Sequence, residues 1–336
     1  MTDLQNSSHR APPFFVWFYF HFVTADGVAI NLVLHETDIL GQRLAPYLSM
    51  SVLLLDQSSR YLRRDLQPGM IAREGSFLQV RDPLIIEDEA GITFDIPFSE
   101  QVCFKGRITK LALPLAFHQG ILYQDFITGW LSHWVVQVPH GTFTAVLQLG
   151  NEVQFLSGVA YQDHQWGSAL LQESVADWVW GHFSNENMAV LFFQILTQHG
   201  QKVERVAMLT AEDRYTGTAL DTNYLKTLFA EDYPSAFSWP IVTSFFGGSQ
   251  KINFSLSPSR IMRSRLNEIH GQKTISYLRW GGEAAYQGAC GQSLLYGISE
   301  YIRVRPARYE KLSQREHRKH HLRHHNGDLF GDSHPL

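Results

Sequence analysis

Leu156-Ser157-Gly158-Val159-Ala160-Tyr161-Gln162-Asp163-His164-Gln165-Trp166-Gly167 packs a small-residue lead-in, a phenol, a carboxylate, an imidazole, an indole and a closing glycine into twelve positions. Side chains alternate faces in a strand, so Tyr161, Asp163 and Gln165 point one way and Gln162, His164 and Trp166 the other. Asp163 then sits beside the phenol of Tyr161, with His164 flanking it from across the pleat. A lone Asp-His pair is often only a satisfied polar pair at a strand end. Aromatics on both sides of the acid make this run a candidate pocket floor.

Working outward, three strands at 132–138, 141–149 and 153–161 deliver the run. Near the N-terminus, 14–23 and 28–35 flank Ala25-Asp26-Gly27, a strand, Asp-Gly turn, strand pattern. Short apolar stretches separated by turn chemistry recur at 49–56, 61–66, 77–80, 84–87, 91–98 and 102–113. Such spacing predicts a sandwich or barrel. The irregular apolar stretch 115–130 reads as a linker or a loop over the pocket, and 218–230 as one short helix. From Arg308 the chain turns basic and His-dense, with His317, His320, His321, His324 and His325 close together. That composition predicts a solvated tail able to bind metal ions adventitiously.

The predicted class is all-β, with two β-barrel or β-sandwich domains. A flexible N-terminus covers 1–13, the first domain 14–200, the second 201–306 and the His-rich tail 307–336. A chain of 336 residues with 44% hydrophobic and 18% charged residues is an ordinary folded protein. Its 22 Phe, 13 Tyr and 8 Trp fit dense sheet cores or an aromatic-lined ligand cavity. A net charge of −4 argues against a nucleic-acid partner. Two cysteines, Cys103 and Cys290, make no disulfide framework and no metal-binding spacing, so a reducing, cytoplasmic setting is expected. The run 14–23 is short and interrupted by His21, and lacks signal-peptide features. No window reaches the roughly 20 apolar residues of a membrane span.

The pattern Gly158-x-x-Tyr161-x-Asp163-His164-x-Trp166-Gly167 resembles the signature of the lipocalin-like carotenoid 1,2-hydratase and AttH-type family, which includes natural-product Diels–Alderases. The segment Trp134-Val135-Val136-Gln137-Val138-Pro139 resembles that family's Trp-containing strand. Trp17-Phe18-Tyr19-Phe20 with Thr24-Ala25-Asp26-Gly27 resembles its opening strand and turn, and Asp177-Trp178-Val179-Trp180-Gly181-His182 its second aromatic segment. The resemblance implies two lipocalin-like (calycin) units and catalytic roles for the tyrosine and aspartate that match Tyr161 and Asp163. Gln162 and Gln165 depart from the polar residues common in hydratase versions, which puts carotenoid hydration in doubt.

No phosphate loop, Rossmann fingerprint, zincin motif or nucleophile elbow is present, so no cofactor or resident metal is expected. What remains is proton transfer and shape. A carboxyl among Tyr161, Trp166 and Trp134 is partly desolvated, which raises its pKa and lets Asp163 donate a proton near neutrality. His164 either orients that acid or bonds a backbone carbonyl. Trp134, Trp166, Trp17, Tyr19, Trp178 and Trp180 are candidate substrate walls. Glu283 or Glu300 is a candidate second carboxylate. The expected activity is a cofactor-free cyclase acting on a hydrophobic polyene, polyketide, terpenoid or indole. Hydration of a C=C bond and non-catalytic carriage of an apolar ligand are the alternatives. The expected partner is a hydrophobic small molecule, and a homodimer is compatible with the sequence.

Overall fold

The computed structural model of the chain describes residues 15–37, 46–74, 77–210, 218–219, 226–230, 239–247, 250–255, 260–270, 273–288 and 291–306. Cys290, the N-terminal 1–13 and the His-rich tail 307–336 lie outside these. The described residues are almost all strand, and they form two sheets.

The first sheet contains β1 (Phe15–Thr24), β2 (Ala29–Thr37), β3 (Tyr47–Leu53), β4 (Ser59–Asp65), β5 (Ile71–Glu74), β6 (Phe77–Val80), β7 (Leu84–Glu87), β8 (Gly91–Ser99), β9 (Val102–Lys110), β10 (Leu115–Gln124), β11 (Leu131–Leu149) and β12 (Glu152–Gly167). A short turn of helix, α1 (Leu171–Ser174), leads to the second sheet. That sheet comprises β13 (Val175–Ser184), β14 (Met188–Thr197), β15 (Lys202–Thr210), β16 (Thr218–Ala219), β17 (Lys226–Ala230), β18 (Trp239–Gly247), β19 (Gln250–Ser255), β20 (Ile261–His270), β21 (Lys273–Gly288) and β22 (Gly291–Pro306). The chain changes sheets between Gly167 and Val175. The hairpin β13–β14, which the sequence reading placed with the first half, therefore pairs within the second sheet, because β13 bonds to β22. The described parts of 218–230 are strands, not a helix. The stretch 115–130 is β10 with a tight turn, and β10 pairs with β11.

Both sheets follow one plan. The first runs β4-β3-β2-β1-β12-β11-β9 and onward, with β10 attached to β11. The second runs β16-β15-β14-β13-β22-β21-β19 and onward, with β20 attached to β21. In each, the first strand of the half pairs with its last, so a lipocalin-like unit is built twice.

β1 shows how the sequence positions the site. Every residue from Phe15 to Thr24 is buried, which explains its unbroken apolar run: both faces of this central strand are covered. Phe15, Trp17, Tyr19 and Val23 join the core shared with the second sheet. Val16, Phe18, Phe20 and Phe22 join the core inside the curled first sheet. β12 splits likewise, with Val159 and Tyr161 in the shared core and Leu156 and Ala160 in the inner one. Each large apolar side chain fully buried here contributes roughly 1.5–3 kcal/mol, so the parity of these two strands is firmly held. A slip of one residue would exchange the two cores. The β1–β2 connection is the expected turn: Gly27 takes φ +107°, and Thr24 Oγ1 accepts the Val28 N–H at 2.9 Å.

Candidate active site

β12 turns Tyr161, Asp163 and Gln165 toward the second sheet, where all three are buried. One oxygen of Asp163, Oδ2, accepts from the Tyr161 hydroxyl at 2.7 Å, the Trp134 indole at 2.9 Å and the Gln165 amide at 3.3 Å. The other oxygen, Oδ1, is buried without a partner. Burial pushes the carboxyl pKa up to about 7, although the Tyr161, Trp134 and Gln165 donors pull it down; the nearby Glu300 adds a small upward push. At neutral pH this acid is thus about half protonated. The Tyr161 phenol is pushed well up, first by burial and then by Asp163, so it stays a donor.

Aromatic rings wall the acid from both sheets. Trp180 lies 5.4 Å from Tyr161 and 5.0 Å from Tyr19 between ring centroids, and Trp17 meets Trp178 at 6.4 Å. Phe117, on β10, stacks on Trp134 at 5.4 Å, and Phe193 packs against both Trp134 and Trp178. The indole N–H groups of Trp178 and Trp180 and Oε1 of Gln165 have no partners. Buried polar atoms are almost always bonded to something, and here several that face the shared core have no protein partner.

The second sheet supplies its own carboxylate. Tyr19 pairs with Asp163 across β1–β12, and Trp180 pairs with Glu300 across β13–β22. The strands themselves repeat: Trp17-x-Tyr19-x-His21 answers to Trp178-x-Trp180-x-His182. Even the donors correspond. Trp134 and Tyr277 occupy matching register positions on β11 and β21, and the Tyr277 hydroxyl donates to Glu300 at 3.0 Å. The environments differ at the next position, where β11 has Val136 and β21 has Arg279, whose Nε bonds Glu300 at 2.5 Å. Arg279 also lies over the rings of Tyr19 and Tyr277. One half therefore holds a carboxyl whose pKa is raised by burial, and the other a carboxyl paired with a buried guanidinium.

Of the residues expected at the site, Tyr161, Asp163, Trp134, Trp17, Tyr19, Trp178 and Trp180 come together. Three do not. His164 and Trp166 stand on the opposite face of β12, where Phe18, His164, Trp166 and His133 form one continuous stack. There Arg73 reaches His164 Nε2 at 3.2 Å, and burial followed by the Arg73 charge holds that imidazole well below its usual pKa. Strand alternation separates it from the acid, so it cannot relay a proton to Asp163. Glu283 is exposed on β21, where it pairs with Ser255 and Tyr296, away from the cluster, and Glu300 is the carboxyl that pairs with Trp180 there. Sequence reasoning missed Arg279 and the pair His21–His182, whose rings bond at 2.8 Å. The repeated Trp-x-aromatic-x-His pattern was the available signal for that pair.

No family model and no curated protein matches the chain in sequence. Solved structures do match in fold. An AttH-like protein from Nitrosomonas europaea superposes with a TM-score of 0.62 at 13% identity, covering 89% of this chain and 98% of that one. Kievitone hydratase from Nectria haematococca gives 0.59 at 13% identity over 87% and 89%. CghA gives 0.58 at 11% identity over 86% and 88%. By fold, along nearly its whole described length, this chain stands with the AttH-type proteins whose signature its central run resembles.

Proposed function

We propose that the chain is a cofactor-independent enzyme that protonates a C=C bond of a hydrophobic small molecule from Asp163 and guides the resulting cation to ring closure. The observation that carries this reading is the divided carboxyl of Asp163. One oxygen is saturated by three donors, and the other is buried and unpartnered among aromatic rings. A pKa near 7 keeps enough of the acid protonated to act and enough driving force to give the proton up. The faces of Tyr19, Trp178 and Trp180 attract the positive charge that develops, and the carboxylate of Glu300 lies on the facing sheet. Positioned acid catalysis is worth about 10²–10⁴-fold, and holding a flexible substrate in its reactive shape adds several kcal/mol.

A second reading, addition of water to the same cation, is favoured by the likeness to a kievitone hydratase. Both begin with the same proton. The test is Asp163→Asn, which keeps acceptor and volume but has no acidic proton. Turnover of a converted substrate should fall at least ~10²-fold with binding of that substrate retained; an Asn variant working at the wild-type rate removes the proposal.

A further inference from the structure

The row of the first sheet that carries His21 continues through Asn31 on β2 and Ser51 on β3, its register partners. All three are buried, and each has a polar atom without a partner: His21 Nδ1, Asn31 Oδ1 and Ser51 Oγ. The fold does not demand polarity there. In the second sheet the matching row runs from His182 through Leu191 to Ala207, and the latter two belong to the apolar core.

Existing bonds fix what each atom offers. The Pro139 carbonyl, 2.9 Å from His182 Nε2, can only accept, so that nitrogen carries a proton. Burial holds both imidazoles neutral, with pKa values pushed down to about 3 for His182 and well below the usual value for His21. His182 Nδ1 is therefore bare and takes the N–H of His21 Nε2 at 2.8 Å. That leaves a lone pair on His21 Nδ1. Asn31 Nδ2 donates to the Phe20 carbonyl at 3.0 Å, which fixes its Oδ1 as an acceptor. Two aligned acceptors beside a rotatable hydroxyl are the complement of an oxygen that bears protons.

We propose that His21, Asn31 and Ser51 form a hydroxyl-binding subsite of the active site, and that His21 Nδ1 accepts the proton of the oxygen that adds to the substrate cation. This rests on Asp163 acting as the acid. Tyr161 joins the two groups: its ring stacks on His21 at 5.1 Å while its hydroxyl bonds Asp163. The step balances without a co-reactant. The π electrons take the proton of Asp163 and form a C–H bond, leaving a cation on the neighbouring carbon. An oxygen lone pair forms the C–O bond, and the O–H proton moves to His21 while its electron pair stays on oxygen. The imidazolium then returns a proton to the Asp163 carboxylate through solvent exchange. Before transfer, the groups facing His21 favour the neutral ring: His182 and the Arg279 charge both oppose protonation. A weak base suffices, because an oxygen bonded to a carbocation is strongly acidic. Water in the subsite gives hydration, and a hydroxyl of the substrate itself gives a cyclic ether.

Two measurements on the full chain test this. A crystal structure that resolves ordered water should show an oxygen bonded to both His21 Nδ1 and Asn31 Oδ1; a dry row, or Nδ1 bonded to a protein group, overturns the proposal. The second uses ortho-prenylphenol, an arene suited to the aromatic walls, in water labelled with heavy oxygen. A labelled tertiary alcohol identifies water as the occupant, and an unlabelled cyclic ether identifies the phenol hydroxyl; either supports the subsite. His21→Gln keeps an amide donor for His182 but no basic nitrogen, and should lower conversion ~10²-fold or more. Ser51→Ala, a milder change, should weaken it in the same direction, with thermal unfolding confirming that both variants fold. His21→Gln at the wild-type rate with Asp163→Asn inactive overturns the subsite alone. Asp163→Asn at the wild-type rate overturns the acid reading instead. No conversion by the unmodified protein overturns the transfer step.

Discussion

The indole of Trp134 donates to Oδ2 of Asp163 at 2.9 Å, the same oxygen that receives the Tyr161 hydroxyl, while Oδ1 of that carboxyl is left unbonded. Donors to a carboxylate stabilise its charged form and lower its pKa. In this site burial outweighs three of them.

Trp134→Phe removes one donor and little volume. The Asp163 carboxyl should then titrate above 7 rather than near it, and the protein should lose about 1–3 kcal/mol as a buried charge-accepting bond disappears. Carbon-13 carboxyl NMR reads the first effect and denaturant unfolding the second. A titration unmoved by the substitution would mean that the indole contributes nothing to the acid.

Stability should also report the raised pKa. In the unfolded chain Asp163 ionises near the ordinary 3.8, and in the fold near 7, so the native state binds its proton more tightly. The associated stability is complete below about 4 and is lost as the pH rises through about 7. Spread over that window it amounts to about 4 kcal/mol. His182 works in the other direction, because its folded pKa of about 3 costs stability as the pH falls below the usual 6.5. The comparison is therefore made against Asp163→Asn, which shares the histidines. The advantage of the Asn variant over wild type should grow between pH 4 and pH 7 and then level off; parallel curves would place the carboxyl in water.

On the facing sheet, Arg279 and Glu300 are both largely buried, with 6% and 9% of their side chains exposed. Arg279→Met strands a carboxylate and should cost about 3–5 kcal/mol, whereas replacing both, Arg279→Met with Glu300→Gln, should recover most of that loss. A double-mutant cycle by chemical denaturation measures the coupling. Simple additivity would show that the pair is not the reason for the loss.

Much of the first site was legible because it lies within one strand. Tyr161 and Asp163 share a face by parity alone, and the Asp-Gly turn and aromatic opening strand announced β1 and β2. The partners from elsewhere were hidden by distance along the chain. Nothing local distinguishes Glu283 from Glu300; what separates them is that one faces solvent and the other is buried opposite Trp180. The allegiance of β13 to the second sheet depends on pairing with β22, more than a hundred residues later, and no turn signal encodes that. His21 read as an interruption of an apolar run. Its meaning emerges only beside His182, its counterpart in the repeated plan.

Gly158, which opens the motif, can be tested for what the glycine does. A Cβ placed there would lie 2.2 Å from the Val23 carbonyl oxygen and 2.9 Å from Thr24 Cα, both of them backbone that cannot swing aside. It pairs with Thr24 where β1 and β12 close the end of their ladder. Gly158→Ala should therefore push these strands apart locally and cost about 1–3 kcal/mol through overpacking, with Tyr161 displaced from Asp163 as the register strains. Thermal unfolding gives the loss, and the Asp163 titration gives the displacement. A stable variant whose carboxyl titrates as in the wild type would show that the motif's glycine serves neither the closure of the ladder nor the acid.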